Sequence, residues 1–590
     1  MSCRLFLVFL SLFVFLLPLK FGNPIVLESV AVLPRGGWEW GFANWSNQLG
    51  LLGAMGLLVF SLWTGKDFPR LSPRVFWLPC AFLASQLAAV AFSVNLQVSI
   101  DTVSMFVAGI AMYVIGLQWG GSPEARFPLR ALLVSTAIIG VFAIEQYFGG
   151  FEETRRIFEL YFSDADMPED FRTKMSGDRA FATFVYPNSL AGYVVLVLPV
   201  LVACVWELRR TWEASAMWVT MTAIAGLALF TLVLSGSKGG FVALVGTVVV
   251  ALFVVKFPRR MQIVLAVILA LCALGLALRY GPSLAKYGKG TASARVAYWI
   301  AGVRIFDDHP LLGTGPGTFG CVYPKYKLPT VEDPRLAHNN FLEALSDSGV
   351  PGFVAYTALW VWPLVLAGRR LRTQPDTLSL GLFLALVAWV FHGLVDFDQY
   401  IPSLALLAFF FLGSLEARFR VAADPVRPPA WLKVMTTLGV LILCVIPVRR
   451  LEAQRAMEEA LRLHENSYAA SAAVERAIRW VPLDAFYHFK LGMIEAGLGR
   501  ASAIDCLHRA QRLDPHRSMY LWTEAELIRR AQGPSPAYFA AAEAAVALSP
   551  ENPSYHKQLA EAYGQLGLVE KAKFHQGRYV WIQLAIGRKP

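Results

Sequence analysis

The segment AHNNFLEALSDSGVPG, residues 337–352, places a histidine at the end of a long polar insertion, directly before an apolar run. Asn339 or Asn340 can cap a helix whose Phe341, Leu342 and Leu345 pack inward, so His338 stands at the positive end of that helix. Such a position keeps an imidazole neutral, with one ring nitrogen free to accept a proton. A packed polar residue is the plainer reading of the same histidine. Two cations occupy comparable places. Lys238 belongs to the tight turn SGSKGG, 235–240, whose glycines expose backbone N–H groups at a helix start, where an anion is favoured. The alternative is a lysine that snorkels to the membrane surface. Arg295 opens the helical stretch TASARVAYWIAGVRIF and shares a face with Trp299 and Gly302 at i, i+4 and i+7. Its planar guanidinium can fork onto a phosphate, or it can sit at an interface beside aromatic residues. In TFVYPNSLAGY, 183–193, Pro187 and Asn188 stand where an apolar run begins. In FHGLVDFDQY, 391–400, His392 and Asp396 are at i, i+4. Caps and turns account for both.

These residues must be positioned by a chain that is mostly apolar. Of its 590 residues 56% are hydrophobic and only 16% charged, against about 25% charged in an ordinary soluble domain. Runs of about 20 apolar residues read as transmembrane helices. They fall near 4–20, 47–64, 75–93, 99–118, 128–147, 182–206, 216–234, 239–256, 261–279, 349–368, 378–395, 400–416 and 431–449, about thirteen spans in all. The first has the position of a signal peptide but lacks a small-x-small cleavage site, and is expected to be retained. The net charge of +11 comes mainly from clusters in alternate connections, such as Lys66, Arg70 and Arg74, or Lys256, Arg259 and Arg260. By the positive-inside rule that set is cytoplasmic, and so is the N-terminus. A basic stripe with interleaved aromatics is missing, which argues against a nucleic-acid partner. The seven cysteines include no CxxC pair, so neither a zinc site nor a disulfide framework is expected.

With this orientation two long segments, roughly 148–181 and 280–348, lie outside, together with everything after Arg449. The polar motifs all fall in or beside these outer regions. The division expected is 1–449 for the membrane domain and 450–590 for a helical tail. In the tail Pro482, Pro515 and Pro550 recur at spacings of 33 and 35 residues. A period near 34 with helix–turn–helix content resembles tetratricopeptide repeats, most closely in YHKQLAEAYGQLGLVEKA, 555–572. A helical hairpin bundle packed on the membrane domain is the simpler alternative. The chain has no P-loop, no HExxH and no Gly-x-Ser-x-Gly. GTGPGTFG, 313–320, is no dinucleotide fingerprint, because no strand precedes it and Pro316 forbids the helix opening. Outside the inner membrane ATP and nucleotide sugars are absent, so a substrate there must carry its own activation.

The ordered set FVYPNSLAGYVVLVLP (184–199), LSGSKGGF (234–241), SARVAYW with HPLLGTGPGTFG (293–320) and AHNNFLEALSDSGVPG (337–352) resembles the O-antigen ligase / O-antigen polymerase superfamily of the Wzy_C type. The likeness runs from about 180 to 400. It implies an all-α, GT-C-like membrane bundle that needs no metal or cofactor. Such an enzyme moves a glycan from undecaprenyl pyrophosphate to an acceptor hydroxyl on the periplasmic face of the inner membrane. By this resemblance His338 is the general base, and Lys238 and Arg295 hold the pyrophosphate, with Arg304, Asn188 and Asn339 as further substrate-binding candidates. The family usually has arginine where this chain has Lys238, which keeps the charge but loses the bidentate fork. The acceptor is lipid A core for a ligase, a growing glycan for a polymerase, or a protein for an O-oligosaccharyltransferase. A glycosidase would need two carboxylates facing one bond, and no such pair stands out. The reading of another class is a non-enzymatic membrane scaffold acting through the tail. A transporter would want ionisable groups at mid-membrane, where the spans have almost none.

Overall fold

The computed structural model of the chain describes residues 2–27, 37–67, 73–150, 179–255, 259–260, 263, 267, 291–329, 333–419, 427–463 and 467–586. The regular elements among them are all helices. Each expected span within the described residues is occupied by a helix, and the ninth, 261–279, lies outside them except for residues 263 and 267. Seven helices are long and apolar enough to cross a membrane, among them Leu96–Trp119, Pro187–Glu207, Ala214–Ser235, Asn340–Leu371 and Ala430–Arg462. Lys238–Val254 and Thr377–Gly393 are shorter apolar helices. The chain is therefore a multi-pass membrane protein.

Lipid tails are as apolar as leucine, so membrane helices associate through close packing rather than hydrophobic exclusion. The central pair, Leu96–Trp119 and Pro402–Arg418, does this with small residues. A Cβ on Gly413 would fall 2.0 Å from the Tyr113 carbonyl oxygen, and one on Gly116 would fall 2.4 Å from that of Phe410. Phe106, Phe409, Phe410 and Phe411 fill the surrounding core. At one end of the bundle the basic connections meet acids: Arg126 with Glu207 at 2.8 Å, Arg418 with Asp376 at 2.8 Å, and Arg427 with Asp67 at 2.8 Å. The polar motifs gather at the other end.

The tail begins inside a helix. Ala430–Arg462 runs through the expected boundary at 449–450 without a break, because Arg449 to Arg462 is as rich in Ala, Glu, Arg and Leu as the run before it is apolar. Helices Tyr468–Trp480, Ala485–Gly497, Ser502–Leu513, Ser518–Gln532, Pro536–Leu548, Pro553–Gln565 and Val569–Ala585 follow. Those beginning at Ala485, Ser518 and Pro553 each start three residues after a marker proline. Asp484 and Asn552 cap two of them through the side chain. Stacked rings, Trp522 on Tyr555 and Phe539 on Tyr563, each 4.1 Å between centroids, bind the last two pairs together.

Arg450 joins the tail to the bundle. It is buried, lies 3.2 Å from Asp101 at the start of the Leu96–Trp119 helix, and pairs with Asp484 of the tail. Nearby, Ser46 donates to Gln454 at 2.8 Å. Removing one partner from a buried ion network strands the remaining charges, at a cost of about 3–5 kcal/mol. Arg450→Ala is therefore expected to lower the melting temperature of the purified protein and to make the Tyr468–Trp480 helix accessible to protease. An unchanged digestion pattern would show that the contact does not hold the tail.

Candidate functional site

The site is built at the end of the bundle away from the basic clusters. Its centre is the Asp396 carboxylate, in the connection between the Thr377–Gly393 and Pro402–Arg418 helices and only 1% exposed. Arg295, on the Thr291–Asp308 helix, donates from Nη2 to Asp396 Oδ2 at 3.0 Å. The Phe397 N–H donates to Oδ1 at 3.0 Å. Nδ1 of His338 lies 3.3 Å from the same Oδ1, close enough for an ion pair but not aligned as a hydrogen bond. Contacts of this kind tighten when substrate binds. Burial pushes the Asp396 carboxyl up, but His338 and Arg295 outweigh it and hold the group below the usual carboxylate range.

His338 is held from several sides. Its ring stacks on Tyr298 at 5.8 Å and meets Phe397 edge-on at 4.6 Å. Its backbone has φ 53°, a left-handed conformation that few residues other than glycine adopt. On one side Glu343 accepts from the Ala337 N–H at 2.8 Å. On the other, Asn339 Oδ1 caps the Asn340–Leu371 helix by accepting from Phe341 and Leu342. Asn339 thus works as the cap, and Asn340 is buried against Gly393 instead. The helix breaks at Gly349, which has φ 63° and lies against the Leu311 backbone, and then runs on to Leu371. The GTGPGTFG turn is tied to the same helix. Gly313 has φ 65°, and the Gly317 N–H donates to Asp347 Oδ2 at 2.7 Å.

A second cluster adjoins the first. The SGSKGG turn has Gly236 in the left-handed region and Ser237 as the side-chain cap of the Lys238–Val254 helix, its Oγ accepting from the Gly240 N–H at 3.2 Å. A Cβ on Gly239 would lie 3.6 Å from His392 Nε2 and 3.8 Å from Arg295 Nη1. One guanidinium therefore bonds the Asp396 carboxylate with one nitrogen and has the other near the helix start beside Lys238. His392 is fully buried. Its Nδ1 lies 2.6 Å from Asp398 Oδ2, and its Nε2 has no hydrogen-bond partner among the described residues. Arg179 reaches the same turn from the preceding loop, donating to the Ser235 carbonyl at 2.8 Å and to Asn188 Oδ1 at 2.7 Å.

Of the residues expected from sequence, His338, Arg295 and the turn that carries Lys238 come together, and Asn188 joins them through Arg179. Arg304 does not. It is nine residues beyond Arg295, two and a half helical turns, so it projects from the opposite side. It is exposed there and donates to the Tyr326 carbonyl at 3.2 Å. Asp396, Asp398, His392 and Arg179 belong to the cluster without having been expected in it. The His392–Asp396 spacing was the one available signal, and local turn chemistry accounted for it. Among the described residues no three His, Cys, Asp or Glu side chains converge as a metal site would need.

A paired substitution probes the packing of this site. A Cβ on Gly192, in the Pro187–Glu207 helix, would fall 2.6 Å from Asp398 Oδ1, whereas one on Gly226 would meet nothing within 4 Å. Helix propensity favours alanine over glycine by about 1 kcal/mol at both. Gly226→Ala is expected to leave stability and glycan transfer intact or slightly improved. Gly192→Ala is expected to displace Asp398 and reduce both, as read by melting temperature and glycan product.

Residues 223–357 match the family model described as O-Antigen ligase, Wzy_C. No curated protein matches the chain. The matched stretch contains Lys238, Arg295 and His338, and over it the chain is similar to the O-antigen ligase superfamily.

Proposed function

We propose that the chain transfers a glycan from undecaprenyl pyrophosphate to an acceptor hydroxyl, with His338 as general base and a cationic cradle around Ser237–Gly239 for the pyrophosphate. A ligase-like glycan transfer follows from the family. The observation that carries the finer reading is the sharing of Arg295 between Asp396, which faces His338, and Gly239, where the Lys238–Val254 helix begins.

The chemistry follows from that geometry. With Nδ1 turned to Asp396, Nε2 of His338 is the nitrogen left for the acceptor. It takes the hydroxyl proton as the oxygen attacks the anomeric carbon. The bond between that carbon and the pyrophosphate oxygen breaks, and the electron pair leaves with the pyrophosphate, inverting the centre. The proton stays on His338, where the Asp396 carboxylate stabilises the imidazolium. A positioned base of this kind contributes about 10²–10⁴-fold. Pyrophosphate needs cations more than a proton donor. Arg295, Lys238, Arg179 and the helix N-terminus supply positive charge there, and His392 presents Nε2 from the far wall. Arg179 also offers a planar guanidinium beside the turn where Lys238 itself cannot fork.

In this reading the site end faces the periplasm of the bacterial inner membrane, and the tail from about residue 450 is a tetratricopeptide-like repeat unit on the same side. The donor's lipid tail lies in the bilayer and its glycan outside. Ligase, polymerase and protein oligosaccharyltransferase share this chemistry and differ in the acceptor. Against a pure scaffold stands the cost of burying Asp396 with two ionisable partners, which a scaffold would not require.

His338→Ala should lower transfer by at least about a hundredfold while the protein still inserts, and Asp396→Asn should fall between this variant and the parent. Lys238→Ala should raise the donor KM, with Lys238→Arg restoring it. A His338→Ala strain that makes normal amounts of ligated glycan would remove the base assignment.

A further inference from the structure

A cavity of about 130 Å³ lies between the membrane part and the tail, with walls from both. Gly317, Gly320 and Arg335 line one side, and Asp514, Arg517 and Tyr520 of the tail line the other. Its charges are unevenly matched. Arg450, at the edge, is shared by Asp101 and Asp484, so both of those acids are engaged. Arg517 stands 3.6 Å from Asp514, too far for a good hydrogen bond. The Arg335 side chain has no ion-pair or hydrogen-bond partner among the described residues. The charge of Arg517, ahead of burial, pushes its pKa down to about 10. Excess positive charge is thus concentrated where Arg335, Arg517 and Asp514 meet. Two guanidinium groups lining one small cavity are well suited to an oxyanion, because each can donate two parallel N–H groups to it.

The transfer step uses none of these groups, yet they are close to it. Arg335 precedes His338 by three residues, at most about 10 Å of chain. The wall is rigid, since a Cβ on Gly320 would fall 2.7 Å from the Arg335 Cα, and Gly317 is tied to Asp347. We infer that the Arg335–Arg517 cavity is a subsite for an oxyanion, phosphate or carboxylate, carried by the saccharide acceptor. This rests on the reading of His338 as the base. The anionic group of the acceptor is gripped between the two guanidiniums, and its hydroxyl reaches the imidazole from that fixed point. Half of the grip comes from the tail, so the tail takes part in choosing the acceptor.

The test uses the full chain in lipid nanodiscs. Inorganic phosphate and acetate are titrated separately while thermal unfolding is followed, for the parent, Arg335→Gln and Arg517→Gln. At least one anion should raise the parent's melting temperature, and the better one identifies the source chemistry. Arg335→Gln should lose the response while being no less stable than the parent without anion, because the repulsion is relieved. Transfer is then measured with a phosphorylated, a uronic and a neutral saccharide. Arg335→Gln should raise the KM of the favoured anionic acceptor about tenfold or more, leaving kcat, the donor KM and the neutral acceptor nearly unchanged. No anion response in the parent would overturn the proposal. So would an Arg335→Gln variant that is destabilised and impaired equally with all three acceptors, since that marks a structural contact. An anion response that persists in a His338→Ala variant with normal transfer would remove the base assignment and leave the oxyanion site standing.

Discussion

The structure at the site end depends on one buried carboxylate. Asp396 is almost without solvent, and an isolated charge there would cost several kcal/mol. Three donors or cations, from Arg295, the Phe397 N–H and His338, offset that cost. They come from three separate segments: the Thr291–Asp308 helix, the connection itself, and the start of the Asn340–Leu371 helix. The carboxylate is therefore the knot that fixes where His338 stands relative to Arg295. It also couples stability to chemistry, since whatever disturbs the charge balance at Asp396 disturbs both.

The same knot explains which parts of the site could be read from sequence. The helices were legible because apolar runs of about 20 residues leave few other choices. Asn339 was legible as a cap because capping is local, between residues two and three apart. Arg295 and Arg304 were separable in principle, because nine residues turn a helix to its opposite side. Asp396 was not legible. Its partner Arg295 is 101 residues away, and an acid in FHGLVDFDQY is adequately explained by the turn around it. Arg179 was hidden for a similar reason. Nothing in the residues around it marks a guanidinium that reaches over a turn 56 residues later. Fold followed from local periodicity, and the site followed from long-range pairing of charges that a periodicity cannot express.

The tail adds a further constraint. A continuous helix, Ala430–Arg462, carries the chain out of the apolar bundle, and Arg450 on it bridges the bundle to the first repeat-like pair. A flexible linker would leave the tail free to wander. Here the rest of the tail stands close to the GTGPGTFG turn, with Arg517 of the tail lining the same cavity as Gly317 and Gly320. A helical tail positioned in this way can shape a route to the site.

His338 shows how much restraint the site needs. A non-glycine residue in the left-handed region costs on the order of 1–3 kcal/mol and persists only where its surroundings over-determine it. The surroundings here do so twice. Glu343 fixes the residue before it, Asn339 fixes the residue after it, and Tyr298 and Phe397 hold the ring between them. Glu343 and Asn339 belong to the helix start that His338 precedes, so the strain is held by local contacts of that helix. The ring contacts come from elsewhere, so the imidazole is aimed by the tertiary structure. Under the proposed role, in which His338 must meet a hydroxyl within about 3 Å, this division helps, because the backbone sets its place and the distant rings set its direction.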